Sequence, residues 1–227
     1  MVASILALVL CAGGAVPTGT LLTYEGEITA DRDSNIRKKI AYTSLVVASG
    51  DSGNHVYWVV SEKGQGAWPW VEQFGEIEID AQGKTLTGRP ATILFEHADG
   101  VSPVPLVPPL FASAEELKDG ASWRVDRLQY AITKPEDRQF SESSWQIDVA
   151  TPIGHKRTML VHKERRVVSD LNETVFVGPG KKHRMQLTLT GEMQLSPEDL
   201  SNSKNAFESL FALREDLDHT IQGGKIQ

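Results

Sequence analysis

Apolar and polar residues alternate with a period of two along much of the chain, most regularly between His183 and Leu195. One side of this segment carries Met185, Leu187, Leu189, Gly191, Met193 and Leu195, and the other carries Arg184, Gln186, Thr188, Thr190, Glu192 and Gln194. Successive side chains of a strand face opposite sides of a sheet. The pattern therefore predicts a half-buried antiparallel strand with its apolar row facing one way.

Weaker alternation predicts further strands at 21–28, 40–48, 55–61, 75–80, 91–96, 123–132, 145–151, 157–162 and 174–177. Turn-forming residues separate them at 49–54, 152–154 and 178–180. The segments 75–80 and 91–96 are expected to pair with each other around Gly83. Such spacing predicts a mainly β fold, an antiparallel meander that forms a half-barrel or sandwich.

A proline-rich segment at 99–110 interrupts the alternation. Proline has no N–H to donate to a strand ladder, so this segment is expected to be an extended connector. It divides a predicted β-rich domain, 16–195, into halves at 21–98 and 121–195.

The pattern changes to a helical period after Leu195. Ser196 is a typical N-cap, Pro197 suits the first helical position, and acidic residues follow in the first turn. An apolar stripe then predicts one amphipathic helix over 196–222, with Ala206, Leu210, Leu213 and Leu217 widened by Phe207, Phe211 and Ile221. The helix is expected to cap the open face of the sheet; the alternative is a linker helix into a downstream domain.

An unbroken apolar run, Ile5 to Ala12, precedes small residues at 13–15. This pattern predicts a signal peptide at 1–15 and an extracytoplasmic location, periplasmic or secreted. The run is too short for a membrane span. Two alternatives are lipidation at Cys11, although Leu10 departs from the usual lipobox, and a buried first strand. Removal of the signal would leave a chain without cysteine and hence without a disulfide.

The formal net charge of −7 argues against nucleic acid as a partner, since phosphate binding needs clustered cations. The charge is uneven, because 151–185 holds eight basic and three acidic residues. Such a region on an acidic protein suits an anionic partner, whereas solvated turns are the simpler interpretation.

No nucleophile elbow, phosphate loop or dinucleotide motif occurs in the sequence. His155, His162 and His183 belong to neighbouring predicted strands and are candidates for convergence at a binding site. Polar positions on an exposed face explain them more simply. The sequence assigns no catalytic residue, no metal ligand and no cofactor.

The least ordinary segment lies before the strand at 75–80, where two tryptophans flank a proline. Tryptophan offers a large contact surface with a polar N–H. Trp68, Trp70, Glu72 and Phe74 are therefore candidate ligand-binding residues, and burial of both indole rings at the end of the sheet is the alternative.

This W-P-W-x-x-x-F-G segment, the Pro105–Phe111 segment and the Glu173–Gly180 segment together resemble a β-rich N-terminal region of secreted bacterial proteins. In those proteins a thioredoxin-like domain follows downstream. The resemblance implies an extracytoplasmic accessory or binding domain. Residues 1–227 contain no C-x-x-C motif, so it implies no redox activity here.

Three functions follow as hypotheses. The first is an exported non-enzymatic binding or accessory domain of the cell envelope, with a protein, peptide or envelope component as its partner. The second is a carrier of a lipid or other apolar ligand, because a curved sheet with a helix across its mouth encloses a cavity. The third is a hydrolase that uses one of the three histidines.

Overall fold

The computed structural model describes residues 16–30, 37–50, 53–62, 73–80, 85–97, 100–106, 117–125, 127–135, 142–150, 156–165, 167–178 and 181–223. Within these ranges lie thirteen strands and one helix. They are β1 (Thr20–Ala30), β2 (Arg37–Gly50), β3 (Gly53–Glu62), β4 (Phe74–Ile79), β5 (Thr85–Gly88), β6 (Ala91–His97), β7 (Gly100–Leu106), β8 (Ser122–Val125), β9 (Leu128–Thr133), β10 (Ser144–Ala150), β11 (Lys156–His162), β12 (Val168–Gly178), β13 (Lys181–Gln194) and α1 (Pro197–Gly223).

Eleven of the strands form one open antiparallel sheet in the order β5-β4-β3-β2-β1-β13-β12-β11-β10-β9-β8. The first strand pairs with the last at the centre, so that Ile28 lies opposite Met185. The chain runs outward from β1 to β5 on one side, and on the other side it runs inward from β8 at the edge to β13 at the centre. The predicted mainly β antiparallel fold with a C-terminal helix is confirmed.

The two faces of this sheet differ in what covers them. The inner face, which includes Leu22, Tyr24, Ile28, Tyr42 and Trp58, is buried in one large apolar cluster. The outer face carries a smaller cluster beneath the helix and is otherwise largely polar. The inner face therefore provides most of the hydrophobic stabilisation.

The remaining strands, β6 and β7, form a separate two-stranded hairpin that packs on the inner face. The expected pairing of 75–80 with 91–96 is wrong, because β4 instead pairs with β3 and β5. The expected connector also differs at Gly100–Leu106, which is strand β7. Its prolines fit, since a strand of a two-stranded sheet has an edge where a missing N–H costs no ladder bond. Pro103 and Pro105 are exposed, and Val104 and Leu106 between them are buried.

A β-bulge divides the apolar row predicted along β13. Tyr24 pairs with Leu189 and Thr23 with Gly191, so Thr190 is an extra residue. An extra residue reverses the facing of everything beyond it. Met185 and Leu187 accordingly lie on the inner face, whereas Met193 is 59% exposed and Leu195 contributes to the outer cluster.

The helix begins as predicted at a capped turn. The backbone N–H of Asp199 donates to Ser196 Oγ over 3.1 Å, and Ser196 Oγ also lies 2.7 Å from the Asp199 carboxylate. Among the described residues, no helix is both long and apolar enough to cross a membrane.

The helix caps one face of the sheet, the outer one. Leu200, Phe207 and Phe211 contact the cluster formed by Leu45, Val47 and Tyr57. Leu213, at the centre of the predicted stripe, is 56% exposed. The stripe that packs is therefore rotated toward the phenylalanines, because their larger side chains bury more apolar area against Tyr57.

Candidate functional site

The inner face of the sheet and the hairpin on it form the candidate site. The hairpin contributes Ala91, Ile93, Phe95, Val104 and Leu106, none of them more than 3% exposed. They pack against apolar residues that come from both halves of the sheet. The alternation of β6 and β7 explains this arrangement, since Leu94 and the two prolines occupy the opposite, solvent-facing side.

The hairpin is held by side chains. Its ladder bonds join β6 to β7, and its contacts with the large sheet reach from β3 on one side to β12 on the other. At its far end the ring of Phe95 lies 4.6 Å from that of His183, and Lys38 Nζ lies 5.7 Å from the same Phe95 ring. A cover of this kind can separate from the sheet without breaking a strand pairing.

Two buried hydroxyl groups face the interior without a hydrogen-bond partner among the described residues. They belong to Tyr42 and Ser44, neighbouring inner positions of β2 that are both 0% exposed. Tyr24, directly opposite Tyr42, differs because its hydroxyl donates to the carbonyl oxygen of Val168 over 3.0 Å. An unsatisfied buried hydroxyl costs roughly 1–3 kcal/mol, so these two atoms are suited to accept a ligand's polar group.

Both tyrosines remain neutral at ordinary pH. Burial raises the pKa of the Tyr42 hydroxyl, and the neighbouring Tyr24 raises it further. Burial also raises the pKa of Tyr24, with smaller contributions from Glu192 and Asp170. The Tyr42 hydroxyl is consequently a neutral donor and acceptor, which suits an uncharged ligand group better than an ionised one.

Most charged side chains of the described inner face lie near the end where β1 stops and β2 starts. At the opposite end, Glu192 lies across from Leu22 and forms an ion pair with Arg165. Lys38 Nζ lies 2.9 Å from Glu62 Oε1, and Arg157 Nη2 lies 2.9 Å from Glu173 Oε1. Glu173 is 5% exposed. Each cation thus has a carboxylate beside it, and the apolar interior between them carries no net charge from these pairs.

The residues proposed from the sequence as ligand-binding lie in different places. Trp68, Trp70, Glu72 and His155 are outside the described residues. Phe74 lies on the outer face, where its ring is 6.0 Å from that of Phe211 on the helix. His183 lies on the inner face beneath the hairpin.

His162 and His183 are not brought together. His183 pairs with Val175 of β12. The preceding residue, Thr174, pairs with Lys156 at the start of β11, so His183 lies near that end of β11. His162 ends β11, six residues beyond Lys156 and hence about 20 Å away along the strand. The structure therefore does not join these two rings in one site.

His162 occupies a turn of its own. Its Nδ1 accepts the backbone N–H of Arg165 over 3.3 Å. Burial and then the Arg165 charge lower the pKa of His162, and Glu164 and Glu192 oppose them. Because the unfolded ring titrates near 6.5, the folded protein resists protonation of this ring.

We expect acid to destabilise the protein partly through this ring. The contribution of the neutral His162 ring to the free energy of unfolding should be complete above pH 6.5. It should decline as the pH falls below that value. His162→Asn keeps an acceptor but cannot titrate, so it should lose less stability between pH 7.5 and 5.5 than the native chain. Urea unfolding at both values measures this, and equal losses would contradict the assignment.

Tyr42, Ser44 and the hairpin were not predicted from the sequence as parts of a site. One signal was available, since Ser44 interrupts an otherwise apolar row made by Ile40, Tyr42 and Val46. A small polar residue in a buried row needs a partner. The hairpin carried no equivalent signal, because the prolines in β7 favour an extended connector over a strand.

The fold and the site together define an open antiparallel sheet whose apolar face is covered by a hairpin. Among solved structures, the chain is similar to the crystal structure of a LolA superfamily protein from Nitrosomonas europaea, with 10% identity and a TM-score of 0.35 over 82% of this chain and 91% of that chain. No protein-family model and no curated protein matches the chain. At this TM-score the likeness assigns neither a family nor a ligand.

Proposed function

We propose that this chain is an extracytoplasmic, non-enzymatic binding protein for an amphiphile with a long apolar chain and an uncharged polar head. The ligand occupies the inner face after the β6–β7 hairpin moves away. The observation that carries the proposal is the pair of buried, unpartnered hydroxyls of Tyr42 and Ser44 within an apolar interior. The apolar chain replaces the hairpin side chains, and the head hydrogen-bonds to the hydroxyls.

The burial free energy lost when the hairpin leaves can be matched by that gained from a bound acyl chain. Full burial of Ile93, Phe95, Val104 and Leu106 is worth roughly 1.5–3 kcal/mol for each side chain, or about 6–12 kcal/mol together. An acyl chain recovers about 0.8 kcal/mol per methylene, so roughly 8–15 methylenes match the hairpin. Shorter chains would not displace it. The ligand is therefore a long-chain amphiphile.

The head group follows from the same interior. Tyr42 and Ser44 present hydroxyls that donate and accept, and no cation lies beside them among the described inner-face residues of β1 to β3. An ester, amide or hydroxyl head satisfies both groups, whereas an ionised head would lose its hydration without a counter-charge. A fluorescently labelled monoacylglycerol is a suitable probe, and a labelled fatty acid of equal length tests the preference for an uncharged head.

Removal of the Tyr42 hydroxyl should change stability and binding in opposite directions. Tyr42→Phe eliminates an unsatisfied buried group, so the free energy of unfolding should rise by about 1 kcal/mol. The same change removes a ligand partner, so affinity for the labelled monoacylglycerol should fall about fivefold to tenfold. Urea unfolding and fluorescence titration measure the two quantities.

Tyr24→Phe is the matched control, because it removes the hydroxyl that already donates to Val168. It should lower stability by about 1 kcal/mol and leave probe affinity unchanged. If Tyr42→Phe and Tyr24→Phe alter probe affinity equally, the Tyr42 hydroxyl does not receive the head. Native mass spectrometry of protein purified from its own host provides a direct test: an apolar adduct supports the proposal, and consistently bare protein argues against it.

A further inference from the structure

The register of the central strands places cations in a line across the outer face. Arg37 lies opposite Thr29, and Thr29 lies opposite Arg184. Arg184 lies opposite Thr174, which in turn lies opposite Lys156. These five residues form one cross-strand row over β2, β1, β13, β12 and β11. At about 4.8 Å per strand, the row spans roughly 19 Å.

The same row continues through Ala150 and Gln129 to Arg124 on β8. Its eight residues contain four cations and no carboxylate, although the whole chain has a net charge of −7. All four cations are exposed. The row is therefore a positive band on an acidic protein, bordered on the same face by a mixed row that includes Lys39, Glu27 and Asp148. We call these eight residues the basic row.

One large apolar side chain stands beside the basic row. Phe176 is 43% exposed on the outer side of β12, directly opposite the exposed Lys182. An aromatic ring among cations is the combination that membrane-surface proteins use, since the cations meet anionic head groups and the ring enters the interface.

We propose that the basic row, together with Phe176 and Lys182, docks on an anionic membrane surface. The row lies along a sheet face and has like charges spread over several strands, which suits a delocalised negative potential. The ring of Phe176 gives the contact an apolar anchor. This inference stands on the outer face and does not depend on the ligand proposed for the inner face.

The position of the row also sets an orientation. Thr29 and Arg37 lie at the same strand ends as Lys38 and His183, where the hairpin's Phe95 is held. A protein docked through the basic row thus has its inner face turned away from the bilayer, with the strand ends that hold Phe95 nearest to the contact. An acidic protein partner would be attracted by the same cations, but it would not require a lipid bilayer.

Co-sedimentation of the full chain with vesicles tests the proposal. We expect binding to vesicles of phosphatidylcholine with 30% phosphatidylglycerol, little binding to phosphatidylcholine alone, and loss of binding as salt rises. Each cation near an anionic surface contributes roughly a fivefold gain in affinity, so R37Q/K156Q/R184Q should bind about a hundredfold more weakly.

The matched control is R89Q/K118Q/K134Q, which removes the same charge from exposed positions outside the row. It should retain most of the vesicle binding. Equal losses in both triple variants would show that only the overall charge matters and would overturn the proposal. Absence of vesicle binding by the native chain would overturn it as well and would favour an acidic protein partner.

Phe176→Ser tests the anchor, with Leu94→Ser as its control because Leu94 is 53% exposed on the hairpin. Only the Phe176 variant should bind the anionic vesicles more weakly. Uptake of the labelled monoacylglycerol should be unchanged in R37Q/K156Q/R184Q. Failure of docking is thereby distinguished from failure of ligand binding.

Discussion

Phe95→Ala is expected to lower the free energy of unfolding by about 3–5 kcal/mol and to raise affinity for a long-chain ligand at least tenfold. Phe95 is completely buried between the hairpin and the large sheet, so truncation leaves a cavity there. The same truncation weakens the closed position of the hairpin, with which the ligand competes. If the hairpin must leave before the ligand binds, a less stable closed state raises the apparent affinity.

The two effects separate the proposal from ordinary core damage. A ligand that bound elsewhere would gain nothing from a weaker hairpin. Urea unfolding gives the stability, and titration with the labelled monoacylglycerol gives the affinity. A Phe95→Ala protein that is destabilised but binds no more tightly would mean that the hairpin is a permanent part of the core.

Leu94→Ala provides the control within the same strand. Leu94 precedes Phe95 but points outward and is 53% exposed. Its truncation should change stability by less than about 0.5 kcal/mol and leave affinity unchanged. An effect on affinity from this exposed position would indicate that the outer side of the hairpin also contacts the ligand.

Local pattern was sufficient to predict most of the strands and the start of the helix, although it missed β5 and β7 and joined β8 and β9 into one strand. The alternation in β13 and the Ser196 cap each depend on residues within one element, and both are seen in the structure. The period of the hydrophobic pattern and the helix cap depend only on nearby residues, so a single sequence is enough to predict them.

The facing of side chains beyond Thr190 was not predictable in this way. The bulge there is a property of the pairing between β13 and β1, and the adjacent Gly191, a residue type common at bulges, does not by itself fix where the extra residue lies. Which face the helix covers was not predictable for a related reason. Both faces of the sheet offered an apolar partner, and only the three-dimensional arrangement of Tyr57 and Leu45 shows which one it covers.

The candidate site was hidden more completely because it joins distant segments. Tyr42 belongs to an apolar cluster to which the hairpin at 91–106 also contributes, and Ser44 is fully buried next to it on β2. Their importance comes from what they lack, a hydrogen-bond partner among the described residues, and a missing contact cannot be seen from sequence. The basic row was hidden because it, too, joins distant segments. Its cations lie far apart in the chain, and only the strand register brings them into one row.

Gly26→Ala is expected to destabilise the protein by more than about 4 kcal/mol. Gly26 lies in β1 between Leu187 of β13 and Ile40 of β2. A Cβ atom there would overlap the carbonyl oxygen of Gln186 and come within 2.8 Å of its carbonyl carbon. These are backbone atoms of the neighbouring strand, so no side-chain rotation relieves the clash. Relief requires separating β1 from β13, the pairing that joins the two sides of the sheet.

Gly191→Ala is the control, since Gly191 belongs to the same β1–β13 pairing as Gly26 but lies on β13, opposite Thr23 of β1. Its added Cβ atom would meet Thr23 Cβ at 3.5 Å, an ordinary contact. Stability should change by less than about 0.5 kcal/mol, because the smaller entropy of the unfolded alanine chain offsets minor adjustment. Urea unfolding of both variants measures the contrast. Comparable stabilities would show that β1 and β13 can move apart at little cost, and the large sheet would then be two independently stable halves.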